Sequence, residues 1–236
     1  MKHRKADIQA VLDRDPATRS RLEAVLCCPG YRAVRRHRRA HFFYKHGMRL
    51  IARMISERTR RLTGIDIHPG AQIGEGFFID HGTGVVIGET TVIGKNCSIF
   101  QNATLGGTGK DTGKRHPTLG DNVMVSAGAK VLGPFKVGDN SKIGAGAVVL
   151  SEVPPNSTVV GVPGRVVRRD NVRVDCASMD QRLPDPIKEE FQRLCSRIGE
   201  LERRVARDET EAAASKTEMF KQASKRRTFI GTLSFF

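Results

Sequence analysis

The sequence predicts a mixed α and β fold in which a parallel β-helix of hexapeptide repeats stands between two helical regions. Three observations support this fold: aliphatic residues recur every six positions within 65–169, apolar residues in 1–64 have helical spacing, and a heptad pattern lies within 170–236. We therefore divide the chain into an N-terminal helical region (1–64), a β-helix domain (65–169) and a C-terminal helix with a flexible tail (170–236).

The central repeat has a period of six residues, which matches neither an α-helix nor the alternation of a simple strand. A period of six fits a chain that turns a corner every six residues, so that three hexads close one triangular coil. The aliphatic side chains then point inward and stack on their equivalents about 4.8 Å away in the next coil. The in-phase positions are Ile67, Ile73, Ile79, Ile87, Ile93, Ile99, Leu105, Leu119, Val125, Val131, Val137, Ile143 and Val149.

The repeat is interrupted twice, and both interruptions carry polar residues. The spacing between successive aliphatic residues rises to eight across Asp80–Gly84 and to fourteen across Gly106–Pro117. Because the wall of a coil cannot absorb extra residues, the surplus must loop outward, and loops on a rigid scaffold are where functional residues concentrate. We therefore expect functional residues in these two loops.

The N-terminal region is helical and strongly basic. Ile8, Val11 and Leu12 have helical spacing, and residues 1–64 contain 17 Lys and Arg against 5 Asp and Glu, so that +12 of the net charge of +15 lies there. A nucleic-acid surface is one interpretation of this charge. No nucleic-acid motif accompanies it, so we favour the solvated face of a helix and expect no nucleic-acid partner.

No segment suggests export or insertion into a membrane. No apolar run approaches the ~20 residues of a membrane-spanning helix, and no signal-peptide core follows the N-terminus. The five cysteines are odd in number and irregularly spaced, which favours reduced structural thiols over a disulfide framework or a zinc site. We expect a cytoplasmic protein with no membrane partner.

The C-terminal region follows the end of the coil stack, which we place at Val153–Asn156. Its apolar residues alternate by four and three, a seam suited either to a short coiled coil between copies or to an amphipathic helix packed on its own subunit. The sequence leaves both open, and beyond Glu211 we expect a flexible tail. The seam consists of Ile187, Phe191, Leu194, Ile198, Leu201 and Val205.

Seven short motifs follow one another along the chain: Asp13–Ala17, Asp66–Gly70, Asp80–Gly84, Gly88–Thr90, Thr104–Lys110, Arg115–Pro117 and Gly161–Arg165. Their joint order and spacing closely resemble the serine O-acetyltransferases of the hexapeptide-repeat acyltransferase superfamily, over about residues 6–170. The resemblance implies a left-handed β-helix, against the usual handedness of parallel crossovers. It also implies acetyl-CoA as co-substrate, no metal, and acetylation of the L-serine hydroxyl to O-acetyl-L-serine and CoA, the first step of cysteine biosynthesis from serine.

A serine hydroxyl needs a base before it attacks a thioester, and His81 in the first loop suits this role because histidine is largely neutral near pH 7. The resemblance makes Asp66 the carboxylate that orients His81 and stabilises its imidazolium. The two residues are fifteen positions apart, which is close to one coil of about 18 residues. This spacing favours positions on neighbouring coils. The competing interpretation is that His81 is only a turn residue. His68 follows Ile67 at the position where many of the other hexads have a glycine, and we interpret it as a structural residue.

An amino-acid substrate presents both a carboxylate and an ammonium group. The resemblance assigns the carboxylate to Arg115, whose guanidinium can form two parallel hydrogen bonds with it, and puts His116 nearby. It assigns the ammonium group to Asp15 and Asp80. The alternative role for Asp15 is a helix cap before Pro16.

Acetyl-CoA requires a groove for its pantetheine arm and positive charge for its phosphates. The second loop and Ser126–Gly128 present small residues, so backbone amides can approach the arm, and the amide of Gly107 is a candidate oxyanion donor. By resemblance, the residues that bind acetyl-CoA are Gly107, Thr108, Ala127, Lys142, Ala145 and Arg165.

The resemblance also bears on assembly. Sites in this superfamily form between adjacent subunits, so we expect a homotrimer or a dimer of trimers. In many relatives a terminal isoleucine inserts into O-acetylserine sulfhydrylase, but this chain ends in Phe236, so that complex is not assumed.

Three other functions compete with serine acetylation. One is an acetyltransferase for a sugar or another small alcohol, and another is a scaffold or nucleic-acid-binding β-helix that uses the basic N-terminus. The third, a γ-class carbonic anhydrase, needs a further histidine shortly after His116, and Pro117–Asp121 contains none.

Overall fold

The structure, a computed structural model, describes residues 2–109, 112–169, 193–205 and 207. Within those ranges the chain begins with four α-helices, continues as fifteen short strands and ends in a helical segment over 193–205. This order confirms the predicted fold class. The helices are α1 (Lys2–Arg14), α2 (Arg21–Leu26), α3 (Pro29–Lys45) and α4 (Arg49–Thr63).

The strands form three sheets, one for each side of a triangular prism. From β1 to β13, every third strand joins the same sheet in parallel, as expected for a coil that turns three corners. The strands are β1 (Asp66–Ile67), β2 (Gln72–Ile73), β3 (Phe78–Ile79), β4 (Val86–Ile87), β5 (Val92–Ile93), β6 (Ser98–Ile99), β7 (Thr104–Gly106), β8 (Thr118–Leu119), β9 (Met124–Val125), β10 (Lys130–Leu132), β11 (Lys136–Val137), β12 (Lys142–Ile143), β13 (Val148–Val149), β14 (Ser157–Val160) and β15 (Arg165–Arg169).

The three sheets meet at three edges of the prism. Sheet A contains β1, β4, β7, β10 and β13, sheet B contains β2, β5, β8 and β11, and sheet C contains the remaining six strands. We name the corners edge AB, edge BC and edge CA, in the order in which the chain passes them after β1. The outward loops can then be placed on particular edges.

The register of the strand pairs shows where the two surplus segments leave the coil. An uninterrupted coil takes 18 residues, as between Val86 and Thr104 in sheet A. The pairing of Asp66 with Val86 spans 20 residues, and that of Thr104 with Lys130 spans 26. The first surplus therefore lies at edge CA, between β3 and β4, and the second lies at edge AB, between β7 and β8.

The core of the prism consists of the aliphatic positions that the repeat predicts. Twelve of the thirteen are at most 4% exposed, and Ile73 in the first coil is partly buried. Burying each of these side chains contributes roughly 1.5–3 kcal/mol, which makes the stack of aliphatic layers the main stabilising feature of the wall.

Helix α3 lies across the first coil and reaches from one edge to another. Near its N-terminus Gly30 packs tightly on the wall, because a Cβ there would lie 2.1 Å from the carbonyl oxygen of Ile79. At its other end the hydroxyl of Tyr44 donates to Glu89 at 2.7 Å. Gly30 and Tyr44 are fourteen residues apart, which is about 21 Å along an α-helix.

Part of the N-terminal positive charge has a structural role. Arg14 is buried and donates to the carbonyl oxygens of Gly76 and Cys97. Arg38 forms an ion pair with the buried carboxylate of Asp7 at 2.9 Å. Buried charges are tolerated when they are paired or hydrogen-bonded, and these contacts attach α1 and α3 to the wall.

The end of the coil stack differs from the prediction. We placed it at Val153–Asn156, but β14 continues sheet C beyond that point and pairs in parallel with β12. Strand β15 then pairs with β14 in the antiparallel direction. The hexapeptide pattern could not indicate β15, because a strand that turns back has no period of six.

The C-terminal helical segment belongs to a separate unit of the chain. Ile187, Phe191 and the expected tail beyond Glu211 lie outside the described residues, so the coiled coil stays a prediction. Across the part of the chain that the structure describes, no helix is both long and apolar enough to cross a membrane. The described seam residues, all exposed, are Leu194, Ile198, Leu201 and Val205.

Candidate active site

The first outward loop presents His81 at edge CA. Its φ of 55° lies in the left-handed region, which histidine adopts more readily than most residues other than glycine. Its side chain is 75% exposed, and Oδ1 of Asp80 lies 4.0 Å from its Nε2. The imidazole is therefore accessible to a substrate or to a neighbouring subunit.

Asp66 begins β1 beside the loop that carries His81. The amide of Gly84 donates to the carbonyl oxygen of Gly64 at 2.9 Å, which holds the loop against the segment that leads into Asp66. Both residues are described, yet the carboxylate of Asp66 does not come within 4.0 Å of the His81 imidazole. The chain thus brings the two segments together without joining the side chains, and their pairing stays a prediction.

Two carboxylates accompany His81 at this edge. Burial raises the pKa of Asp80, while the charge of His81 lowers it and that of Asp15 raises it, so Asp15 lies near enough to interact with Asp80. The carboxylate of Asp15 accepts hydrogen bonds from the amide of Ala17 at 2.8 Å and the hydroxyl of Thr18 at 2.6 Å. These bonds form a local turn after α1. The helix that follows begins at Arg21 and is capped by Ser20, so the capping interpretation of Asp15 is wrong, and its role in binding ammonium stays a prediction.

The second outward loop brings Arg115 to edge AB. Its Nη2 donates to Oε2 of Glu89, and the other oxygen of that carboxylate accepts from the hydroxyl of Tyr44. The hydrogen bonds from Tyr44 and Arg115 lower the pKa of Glu89 to about 2. Glu89 is therefore ionised at neutral pH and holds one side of the guanidinium.

His116 lies next to Arg115 and is held by Thr90. The amide and the hydroxyl of Thr90 both contact Nδ1 of His116, at 3.2 and 2.9 Å. Since an amide N–H can only donate, Nδ1 accepts and the proton of the neutral ring lies on Nε2. Burial, helped by the charge of Arg115, lowers the pKa of His116. His116 is thus a neutral imidazole with a hydrogen-bond donor at Nε2.

His68 lies at the same edge, one coil before Glu89. Its Nδ1 accepts from the amide of Gly70 at 3.0 Å, and its ring meets that of Tyr44 edge-to-face at 5.8 Å. Burial lowers the pKa of His68. It therefore supports a turn and an aromatic neighbour, which is the kind of contact that a structural residue makes.

Two of the residues expected to bind acetyl-CoA lie at edge CA, in the coils that follow the one ending at His81. Ala127 follows β9 and Ala145 follows β12, each at the corner that leads into sheet A. A Cβ added at Gly146 would meet nothing within 4 Å, so the edge is open there. This strip of small residues leaves room for an extended arm.

The other residues expected to bind acetyl-CoA lie elsewhere on the prism. Gly107 and Thr108 are exposed in the loop at edge AB, where a Cβ on Gly107 would lie 3.0 Å from the carbonyl oxygen of Arg115. Lys142 in β12 and Arg165 in β15 both lie in sheet C.

The predicted base and the predicted carboxylate-binding arginine therefore lie on different edges. Asp80 and His81 stand at edge CA, directly after Ile79, and Arg115 stands at edge AB with Glu89. Helix α3 contacts Ile79 through Gly30 and Glu89 through Tyr44, and these two contact points are about 21 Å apart along the helix. This separation exceeds the reach of a single serine molecule, so one chain does not bring the two groups to one substrate.

Sequence reasoning assigned no role to three residues that shape this site. Glu89 and Thr90 lie within the motif Gly88–Thr90, so their place in the motif was a usable signal. Tyr44 carried no such signal, because its contact with Glu89 joins two regions 45 residues apart.

Comparison with known proteins places the chain in a family. The model of "Serine acetyltransferase, N-terminal" matches residues 1–36, and that of "Bacterial transferase hexapeptide (six repeats)" matches residues 116–151. We refer to the four N-terminal helices, α1 to α4, as the helical cap. The two matches cover one part of this cap and one part of the coil. They agree with the left-handed β-helix that the resemblance implied.

Similar proteins cover most of the chain. A serine acetyltransferase of Bacillus subtilis is 54% identical over 84% of this chain and 91% of its own length. The structure of the Neisseria gonorrhoeae serine acetyltransferase in complex with serine has a TM-score of 0.69 and 45% identity, covering 71% of this chain and 68% of that one. A serine acetyltransferase in complex with cysteine has a TM-score of 0.75 and 41% identity, covering 78% and 71%. The chain belongs to the serine acetyltransferase family, a family of acyltransferases.

Proposed function

We propose that the active site lies between two subunits and is formed by edge CA of one copy and edge AB of the next. There the enzyme transfers the acetyl group of acetyl-CoA to the hydroxyl of L-serine and releases O-acetyl-L-serine and CoA. The observation that carries this proposal is the separation of His81 from Arg115 on two edges of one prism. A closed ring of identical subunits brings two different surfaces together at every interface, so a trimer is the minimum assembly and a dimer of trimers is compatible with it.

His81 is the general base in this proposal. Its exposed imidazole removes the proton of the serine hydroxyl as the oxygen attacks the acetyl carbonyl, and CoA leaves as a thiolate. Asp66 accepts a hydrogen bond from the other ring nitrogen and stabilises the imidazolium form. The exposure of the His81 side chain supports this pairing, because the ring has room to turn towards Asp66 when the neighbouring subunit covers the loop.

The charges of serine are divided between the two edges. Arg115 of one subunit binds the carboxylate through parallel hydrogen bonds, and His116 adds a neutral donor at Nε2. Asp80 and Asp15 of the adjacent subunit face the ammonium group. Serine thereby bridges the interface with its hydroxyl towards His81.

The thioester requires a groove and a donor for the developing oxyanion. The open strip at Ala127 and Ala145 suits the pantetheine arm, and Gly107 with Thr108 from the neighbouring edge AB completes the groove. The amide of Gly107 stabilises the oxyanion, and Lys142 and Arg165 lie towards the phosphates. None of these roles requires a metal ion.

The proposal also covers the cellular location of the enzyme and its partner proteins. The odd number and irregular spacing of the five cysteines support reduced thiols and a reducing cytoplasmic location. We assign no complex with O-acetylserine sulfhydrylase.

The test uses purified protein, acetyl-CoA and a panel of acceptors, with free thiol release as the readout. The sharpest variant is His81→Asn, because asparagine tolerates the left-handed backbone but cannot act as a base. We expect serine-dependent release that falls about 10²- to 10⁴-fold in the variant, without a change in melting temperature. Activity confined to sugars or other small alcohols, or equal activity in the variant, would contradict the proposal.

A further inference from the structure

We infer that Tyr44 and Glu89 hold the guanidinium of Arg115 in the orientation that receives the serine carboxylate. Tyr44 is then a positioning residue that the helical cap contributes to substrate binding. This inference rests on the proposed role of Arg115. It concerns two residues to which neither the motifs nor the family resemblance assigned a function.

The first step in the argument is that Arg115 needs an external support. It belongs to a long outward loop, and an arginine side chain has enough rotamer freedom to point in many directions from such a loop. Its Nη1 has a long contact of 3.4 Å with the carbonyl oxygen of Gly113, which lies in the same loop. The bond from Nη2 to Glu89 is the contact that connects the guanidinium to the wall of the prism.

The second step is that Glu89 is itself held from two sides. One carboxylate oxygen accepts from Tyr44 and the other from Arg115, so the plane of the carboxylate is fixed. A carboxylate held in this way gives the guanidinium a directional partner, since planar groups pair best edge to edge. Because the pKa of Glu89 lies at about 2, the arrangement persists over the whole pH range of an acetyltransferase assay.

The third step is that Tyr44 is well supported. It lies in the last turns of α3, which α4 and the first coil hold in place. Its ring packs edge-to-face on His68 at 5.8 Å, and the guanidinium of Arg49 lies 6.0 Å from the ring centre. Tyr44 is therefore a fixed donor, and the chain from α3 through Glu89 to Arg115 has a rigid end.

The fourth step is that Arg115 keeps capacity for a ligand. A guanidinium has five N–H donors, and the bonds to Glu89 and Gly113 leave the others for a substrate carboxylate. About 25% of the Arg115 side chain is exposed, so those donors can be reached from solvent. Glu89 thus orients Arg115 without blocking it.

The experiment compares the only two tyrosines of the chain as a matched pair. Tyr44→Phe removes the hydroxyl that bonds Glu89 and keeps the ring contacts. Tyr31→Phe is the control, because the buried hydroxyl of Tyr31 has no hydrogen-bond partner among the described residues. We expect Tyr44→Phe to raise the KM for serine about three- to ten-fold, with kcat and the KM for acetyl-CoA within about two-fold of wild type. Tyr31→Phe should leave all three unchanged.

A double-mutant cycle then separates positioning from a general structural effect. In an Arg115→Lys background the guanidinium is gone, so Tyr44→Phe should raise the KM for serine by less than about two-fold. Serine affinity measured by calorimetry should show the same pattern without turnover. Wild-type protein that neither binds nor acetylates serine would refute the proposed function. Normal serine binding by wild type together with equal values for the Tyr44→Phe and Tyr31→Phe variants, or an undiminished effect in the Arg115→Lys background, would refute this inference alone.

Discussion

Edge BC and the two loop-bearing edges of the prism use their polar side chains in opposite ways. At edge BC, Asn122 donates to Asn140, and Asn140 donates to Asn156, each at 3.0 Å. We call these three hydrogen-bonded side chains the asparagine ladder. At edge CA the imidazole of His81 is 75% exposed, and at edge AB the side chain of Arg115 is partly exposed. Polar groups that satisfy one another stiffen the wall, whereas polar groups turned outward are available for chemistry.

The backbone makes the same demand at both kinds of edge. The corner residues Asn122 and Asn140 have φ of 56° and 57°, and His81 has φ of 55°. Asparagine and glycine meet this demand easily, and histidine does so less often. The difference between the edges therefore lies in the side chain placed on a common corner geometry, which is how a uniform scaffold acquires a local site.

The largest effect that separates the edges should come from Arg115→Ala at edge AB. Removing the guanidinium eliminates the paired hydrogen bonds to the serine carboxylate, so the KM for serine should rise about 10- to 100-fold. Because the side chain supports a loop and not the core, the melting temperature should stay within about 2 °C of wild type. Steady-state kinetics with a parallel thermal melt checks both. A large loss of stability with unchanged serine affinity would reverse the assignment of this edge.

Asn140→Ala should give the opposite pattern at edge BC. It removes two ladder bonds and places alanine in the left-handed region, so the free energy of unfolding should fall by about 2 kcal/mol. Asn102→Ala is the matched control, since Asn102 has φ of 59° at edge CA and belongs to no such ladder among the described residues. Urea unfolding at fixed protein concentration measures both variants, with unchanged KM for serine. Equal losses in the two variants would mean that the ladder adds nothing beyond backbone strain.

A smaller effect, on the pH dependence of stability, distinguishes the asparagine ladder from the first coil, which α3 covers. The asparagines of the ladder do not titrate. His37, by contrast, is a titratable residue on the buried face of α3, and its Nε2 lies 3.1 Å from the carbonyl oxygen of Ala71. Burial lowers the pKa of His37 to about 3 from an ordinary value of 6.5, so it stays neutral in the fold. The unfolded chain binds this proton as pH falls below about 6.5, and the stability that His37 contributes is lost from there towards pH 3.

The loss from His37 is at most about 1.4 kcal/mol for each pH unit in that window. His37→Gln keeps a donor for Ala71 and cannot titrate, so it should reduce the fall in unfolding free energy between pH 7 and pH 5. Urea unfolding at the two pH values measures the slope. An unchanged slope in the variant would remove His37 from the account of acid sensitivity.

The sequence could predict the wall far better than the site. Thirteen in-phase aliphatic residues indicate the coil because burial of one residue in six is its defining periodic feature, and the two breaks in phase indicate the loops. The edges of these loops also follow from the sequence, because every third hexad lies on the same side of the prism. The contact of Tyr44 with Glu89 could not be predicted, because no periodic pattern connects a helix of the cap to a corner of the coil. The orientation of Asp66 relative to His81 depends on side-chain rotation, which spacing does not specify.

The most direct test of the central claim is complementation between two variants that are both impaired at limiting serine. His81→Asn and Arg115→Ala are expressed together with different tags, and rings that carry both tags are purified and assayed at limiting serine. If each site takes His81 from one copy and Arg115 from the next, every mixed trimer contains one intact site, and about one third of wild-type activity should return. Mixed rings no more active than their two parents would contradict a site shared between subunits.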